Sequence, residues 1–353
     1  MTTPRELALL RMVAQKIAGP GAATATEAVR WLTAMQAQDY PGALTSVALR
    51  TAGPGRESVL AALDSGEVVR SWPMRGTLHF VLAEDLPWML ALTGPRTLSG
   101  AAARHRGLGI DEAAVNHARD VAVGALAGGG RLDQRDLMDV WERAGIATAD
   151  QRGRHLIWTL SLTGAVCLGP VRDGRQQVVL LDEWVPAPRV LSEEEALGEW
   201  VLRYFRSHGP ATLKDFGWWT KLTVRQAKAG LAQVIDQLAR IEVDGVEYYM
   251  DPRTPELLGE HRNDARAVHL LPGFDEFILG YRDRSAAVDP RFSELLCPGG
   301  NGMFFPTVVD GGQVVGTWKR NGRKSGEPVH ASAFTRFSAR VEKAIPRVYA
   351  GLG

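Results

Sequence analysis

The strongest constraint on the fold is an order of elements that recurs along the chain. From Arg131 onward, LDQRDLMDVWERAG places Leu132, Leu137, Val140 and Trp141 at helical spacing, the pattern of a short amphipathic helix. GRHLIWTLSLTG reads as a second helix stopped by Gly164, and AVCLGP, a turn at RDGR and QQVVLL follow as a hairpin. The same order returns further on. EALGEWVLRYFRSHG carries Leu197, Val201, Tyr204 and Phe205 on one face, TLKDFGWWT opens on Thr212 as an N-cap, and TVRQAKAGLAQVIDQL is capped by Thr223. ARIEV and VEYYM then flank Asp244-Gly245, a dipeptide that favours the tight two-residue hairpin turn. Helix, helix, hairpin is the order of a winged helix, a helix-turn-helix with a β wing.

With that template the N-terminal part reads the same way. AVRWLTAMQAQ and RESVLAALDSG are expected helices, the second stopped by Gly66, and EVVRSWP and TLHFVLA form a hairpin around Met74-Arg75-Gly76. Residues 83–130 are Ala/Gly-rich and helical. The last stretch changes character: AVHLLPGFDEFILGY reads as strand, PTVVDGGQVVGTW as a hairpin at Asp310-Gly311-Gly312, and SAFTRFSARVEKAIPRVYAG as a closing helix. The expected fold is α+β. It has three tandem winged-helix modules (1–82, 131–190 and 191–262), a helical connector (83–130) and a C-terminal β-rich domain (263–353). The wings are unevenly spaced, which argues against a solenoid.

Composition narrows the function classes. With 353 residues, 45% hydrophobic and 23% charged, the chain can bury a substantial core. A formal net charge of +1 means that binding to a polyanion requires a basic face balanced by acidic surface elsewhere. Cys167 and Cys297 are too few for a disulfide framework or a four-cysteine metal site, which fits a reduced cytoplasmic setting. The start, MTTPRELALLRMVAQ, lacks the long apolar core of a signal peptide. No apolar run is long enough to predict a membrane span. The histidines show no metal-ligand spacing, and no P-loop, HExxH or GxSxG motif occurs.

The stretch AMQAQDYP poses the sharpest question. On a helix, Gln36 and Gln38 point nearly opposite ways, since each residue advances the direction by about 100°. They share one site only if the helix loosens, and Pro41 predicts such an end because the residue before proline is pushed toward extended geometry. Spacing alone favours two amides that simply cap carbonyls or face water. Basic residues cluster elsewhere: Arg70 and Arg75 bracket the first wing, Arg282 and Arg284 lie in YRDR, and Lys319, Arg320, Arg323 and Lys324 lie in WKRNGRK. Such side chains can neutralise phosphates, although each also suits a solvated mixed-charge surface. His79 alternates with Leu78 and Phe80 in a strand and suits core or solvent.

Five segments then act together. Met35-Gln36-Ala37-Gln38, the run RSWPMRGTLH from Arg70 to His79, DFGWWTKL, LLPGFDEFILGYRDRS and VVGTWKR span nearly the whole chain. They resemble the winged-helix DNA glycosylases typified by AlkZ and YcaQ. The resemblance implies three tandem winged helices in a C-shaped, electropositive scaffold, and a substrate class of bulky N7-alkylated purines or interstrand crosslinks. The family's catalytic Gln-x-Gln falls on Gln36 and Gln38 with Ala37 as the apolar spacer; Asp39 comes one position too late for the Gln-x-Asp variant. Arg70, Arg75, His79, Arg282, Arg284, Lys319 and Arg320 are the expected DNA contacts.

Two neutral amides suit a purine that already carries positive charge, because that base leaves without a general acid. A glutamine carbonyl can accept from the attacking water and present a negative dipole end to an oxocarbenium-like sugar. No lysine near the motif suggests a Schiff base, so a monofunctional enzyme that leaves an abasic site is expected, with no cofactor and no metal. The expected partner is double-stranded DNA carrying alkylated purines or crosslinks, with no membrane; the family suggests a monomer. The competing class is a winged-helix transcriptional regulator or a non-catalytic ligand sensor, in which Gln36 and Gln38 are structural.

Overall fold

The computed structural model describes residues 3–53, 55–321 and 327–352. The chain mixes helices and sheets and divides into two compact units, Met1–Val59 with Leu197–Gly353, and Leu60–Ala196.

The Leu60–Ala196 unit is organised by two hairpins. Val68–Met74 and Thr77–Leu82 turn at Arg75-Gly76, and Val166–Arg172 and Arg175–Leu180 turn at Asp173-Gly174. All four turn residues have positive φ (57°, 66°, 51° and 73°), the conformation that matches a two-residue turn to the right-handed strand twist. The hairpins join edge to edge, with Arg70 opposite Leu168, and the short strand Leu132–Asp133 adds to Arg175–Leu180. Asp133 then caps the helix Gln134–Arg143 by accepting from the backbone N–H groups of Arg135 and Asp136. That helix buries Leu137 and Trp141 against Leu156 and Leu160 of the helix Arg152–Leu162. Residues 83–130 hold the helices Leu86–Gly100, Ala102–Gly107 and Glu112–Leu126. The last of these sends Ala118, Ala122 and Leu126 into the same core, and the buried Trp141 indole donates to Ala118 O at 2.9 Å.

In the other unit the helices Glu193–His208, Leu213–Thr220 and Val224–Val234 are followed by the hairpin Ala239–Val243/Val246–Met250. Both expected caps form, each as a reciprocal box: Thr212 with Asp215, and Thr223 with Gln226. The helix Pro4–Ala14 is buried from Leu7 to Ala14 and packs on the helix Thr254–Ala265. Its buried Arg11 lies over the Tyr281 ring at 3.7 Å and donates to Pro210 O. A second sheet runs in the order Val329–Ala333, Gln313–Arg320, Thr307–Asp310, Val268–Leu271. The closing helix Ala339–Ala350 packs Val341, Ala344 and Ile345 against it.

Four local expectations change. The helix through AVRWLTAMQAQ ends at Leu32, where Thr33 takes φ +69°, and Ala34–Gln36 is a short strand. Pro41 opens a helix, Tyr40–Ala48, in place of ending one: proline fits a first turn, where its missing N–H has no partner to lose. In AVHLLPGFDEFILGY only Val268–Leu271 is strand, and Glu276–Leu279 is a helical turn capped by Asp275. The closing helix begins at Ala339, and the strand Val329–Ala333 precedes it. No helix among the described residues is long and apolar enough to cross a membrane.

Candidate active site

Gln36 ends the short strand Ala34–Gln36, and Gln38 lies in the bend that leads into the helix Tyr40–Ala48. In extended chain successive side chains alternate, so residues two apart face the same way. Burial follows that alternation: Met35 and Ala37 are fully buried, Gln36 is half-buried and Gln38 is exposed. The continuous helix that would turn the two amides apart is absent here, since the preceding helix ends at Leu32. Gln36 Oε1 is buried and has no hydrogen-bond partner among the described residues. Leaving a buried acceptor unmet costs about 1–3 kcal/mol, so such an atom marks a place where a partner is expected to arrive. Asp39 is exposed at the N-cap position of Tyr40–Ala48 and makes no side-chain cap bond. Gly42 gives it room, since a Cβ there would meet Asp39 Oδ2 at 2.5 Å.

The floor behind Gln36 is a buried polar network from LPGFDEF. Glu276 Oε1 accepts the Gln36 backbone N–H at 2.9 Å. Glu276 Oε2 accepts the Trp219 indole N–H at 2.9 Å and lies 3.6 Å from His208 Nε2. The neighbouring Asp275 pairs with Arg50 through both carboxylate oxygens, at 2.8 and 2.9 Å, and accepts from Ser46 Oγ at 2.6 Å. Arg50 also donates to Gln15 O and Gln15 Oε1, and Gln15 Nε2 returns a bond to Glu276 O. Asp275, Glu276 and Arg50 are all but inaccessible to solvent. Two residues hold strained left-handed backbone just upstream of the contact: Thr33 (φ +69°), and Phe274 (φ +62°) before Asp275-Glu276.

The basic positions differ in what they offer. Lys319 and Arg320 end the strand Gln313–Arg320, are exposed, and carry no ion-pair partner among the described residues. Arg323 and Lys324 lie outside the described residues. Arg282 is exposed, with its backbone N–H bonded to Asp215 Oδ1. Arg284 is half-buried between the rings of Trp218 (5.0 Å) and Phe304 (4.9 Å), with Nε bonded to Ile278 O. Arg70, Arg75 and His79 belong to the Leu60–Ala196 unit. Arg70 reaches Gln176 Oε1 at 2.5 Å. His79 is fully buried: Nδ1–H donates to Thr77 O at 2.8 Å, which leaves Nε2 to accept from Arg75 Nη2 at 3.0 Å. Its ring orients Arg75 and presents no edge to solvent.

Sequence reading missed Arg56 and Glu276. Arg56 bonds Pro41 O at 3.0 Å and Thr45 Oγ1, beside the Gln-x-Gln segment. Burial, then the nearby Arg320 charge, hold its guanidinium below the usual arginine range, while Asp39 acts in the opposite sense. Arg56, Arg320 and Asp39 thus lie within electrostatic reach of one another. An anion arriving there would relieve the repulsion between the two arginines. Replacing Arg320 with Ala is expected to lower the slope of log affinity against log salt by about 0.9, the value for one lost phosphate contact on duplex DNA; titrations at several salt concentrations measure it. No sequence pattern flags Arg56, because its neighbours become visible only after folding.

The scaffold is shared with a solved structure, Streptomyces sahachiroi DNA glycosylase AlkZ, at a TM-score of 0.81 over 99% of this chain and 95% of that one, with 24% identity. A family model described as DNA glycosylase AlkZ-like matches residues 29–353. The chain belongs to this family of AlkZ-like DNA glycosylases, enzymes that hydrolyse N-glycosyl bonds. It is also 25% identical over 314 residues to a protein of Streptomyces sahachiroi named interstrand DNA cross-link repair glycosylase, covering 84% of this chain and 82% of the relative.

Proposed function

We propose that the protein hydrolyses the N-glycosidic bond of N7-alkylated purines, bulky or crosslinked, in double-stranded DNA and leaves an abasic site. The observation that carries this reading is the buried Oε1 of Gln36, an acceptor with no partner among the described residues. In the reaction the C1′–N9 bond breaks and the pair of electrons leaves with the cationic purine, neutralising it. Water adds to C1′ and releases a proton to solvent. Gln36 and Gln38 accept from that water and orient carbonyl dipoles toward the sugar cation. Neither amide removes a proton with useful strength, so the reading favours labile cationic lesions over neutral bases.

Lys319, Arg320 and Arg282 supply exposed charge for phosphates, while Arg70, Arg75 and Arg284 are held by neighbours that fix their direction. The name of the cross-link repair relative supports a crosslinked substrate for this chain as well. Incubation of the protein with duplex containing N7-methylguanine, or a bulkier N7 adduct, should yield abasic sites scored by mild alkali. If neither duplex releases base above background, the proposal fails.

A further inference from the structure

We propose that Glu276 is a positioning residue of this active site, fixing Gln36 from behind and supplying the buried negative charge that the Gln-x-Gln motif lacks. The inference rests on the reading of Gln36 as catalytic. Its basis is the bond between Glu276 Oε1 and the Gln36 backbone N–H at 2.9 Å, made between residues 240 apart in sequence.

Four observations support it. Glu276 is 1% exposed, so its carboxylate serves the interior. Its other oxygen is claimed by Trp219 Nε1 at 2.9 Å, which leaves the side chain little rotational freedom. The backbone is strained on both sides, at Thr33 before Gln36 and at Phe274 before Glu276. Strained backbone of this kind persists only where surrounding contacts hold it, and it concentrates at functional sites. Arg50 and Ser46 grip the adjacent Asp275, so the turn that carries Glu276 is anchored independently of the Gln36 contact.

The chemistry gives this arrangement a use. As the purine leaves, positive charge develops on the sugar. A fixed carboxylate in a poorly solvated interior favours that charge and needs no reorganisation at the moment of reaction. Glu276 acts through the peptide of Gln36, whose N–H it holds, and touches no reacting atom. The strong negative group expected in glycoside chemistry is thus present one layer behind the glutamines.

Glu276→Gln tests this at constant shape. Both carboxylate oxygens face N–H donors, Gln36 on one side and Trp219 on the other, and a carboxamide can accept on only one side. The single-turnover excision rate of N7-methylguanine should fall about 10- to 100-fold, while the dissociation constant for the same duplex changes less than about twofold. Excision at the wild-type rate by Glu276→Gln, with Gln36→Ala slow, overturns this inference and leaves the glycosylase reading intact. Parallel loss of affinity and rate would show a merely structural role and also overturns it. A wild type that releases no base overturns the reading and the inference together. Hydrogen exchange on the wild-type chain needs no variant to fold: the Gln36 amide should exchange slowly although its residue is half-exposed, and fast exchange overturns the proposal.

Discussion

Replacing Gln36 with Ala is expected to slow excision of N7-methylguanine by about 10²–10³-fold, the scale seen when one preorganised dipole is removed from the charge it stabilises. The fold should be unaffected, because Gln36 Oε1 bonds nothing among the described residues and the Glu276 contact uses its backbone N–H. Gln38→Ala should produce a loss of similar sign, since no helix turns the two amides apart and Gln38 is exposed to an incoming substrate. Asp39→Asn is the control. Its carboxylate lies next door, exposed, and makes no cap bond. Single-turnover kinetics should place it within about threefold of wild type, the size of a small change in charge near an exposed site. A collapse of activity in Asp39→Asn with both glutamine variants active would transfer the catalytic role to the carboxylate.

The largest expected effect on stability lies at Arg50. Its guanidinium donates to Asp275, Ser46 and Gln15, and both members of the Arg50–Asp275 pair are buried. Arg50→Met leaves the Asp275 charge in the interior without its cation, which costs about 3–5 kcal/mol. Urea unfolding should show this as a lower midpoint. The double variant Arg50→Met/Asp275→Asn should recover part of the loss, because it removes the bare charge along with its partner. If the single and double variants unfold together, the pair contributes through shape alone. The result also bears on activity, since Asp275 anchors the turn that carries Glu276.

Elements whose cause is local were the legible ones. Arg75-Gly76, Asp173-Gly174 and Asp244-Gly245 form hairpin turns with both central residues at positive φ, as their sequences demand. Thr212 and Thr223 cap their helices because each has an acceptor in reach of an N–H that the helix leaves open. The Gln-x-Gln segment was half legible. Pro41 restricts the residue before it and also suits a first helical turn, and neighbouring residues alone do not decide between these. The structure takes the second course, and the chain leaves the preceding helix at Leu32, where Thr33 adopts a backbone that favours glycine.

The recognisable motifs, with their family-level chemistry, and the turn and cap signals were determined by sequence, because each depends on residues a few positions apart. Only the tertiary structure decided what stands behind Gln36. Glu276, Trp219 and His208 read as part of an apolar strand, a tryptophan-rich helix and a helix end. Folding removes them from water and aims both oxygens of one carboxylate at two donors, one of them the backbone of the motif. Burial and direction give that carboxylate its effect, and neither property belongs to a residue until the chain has closed around it.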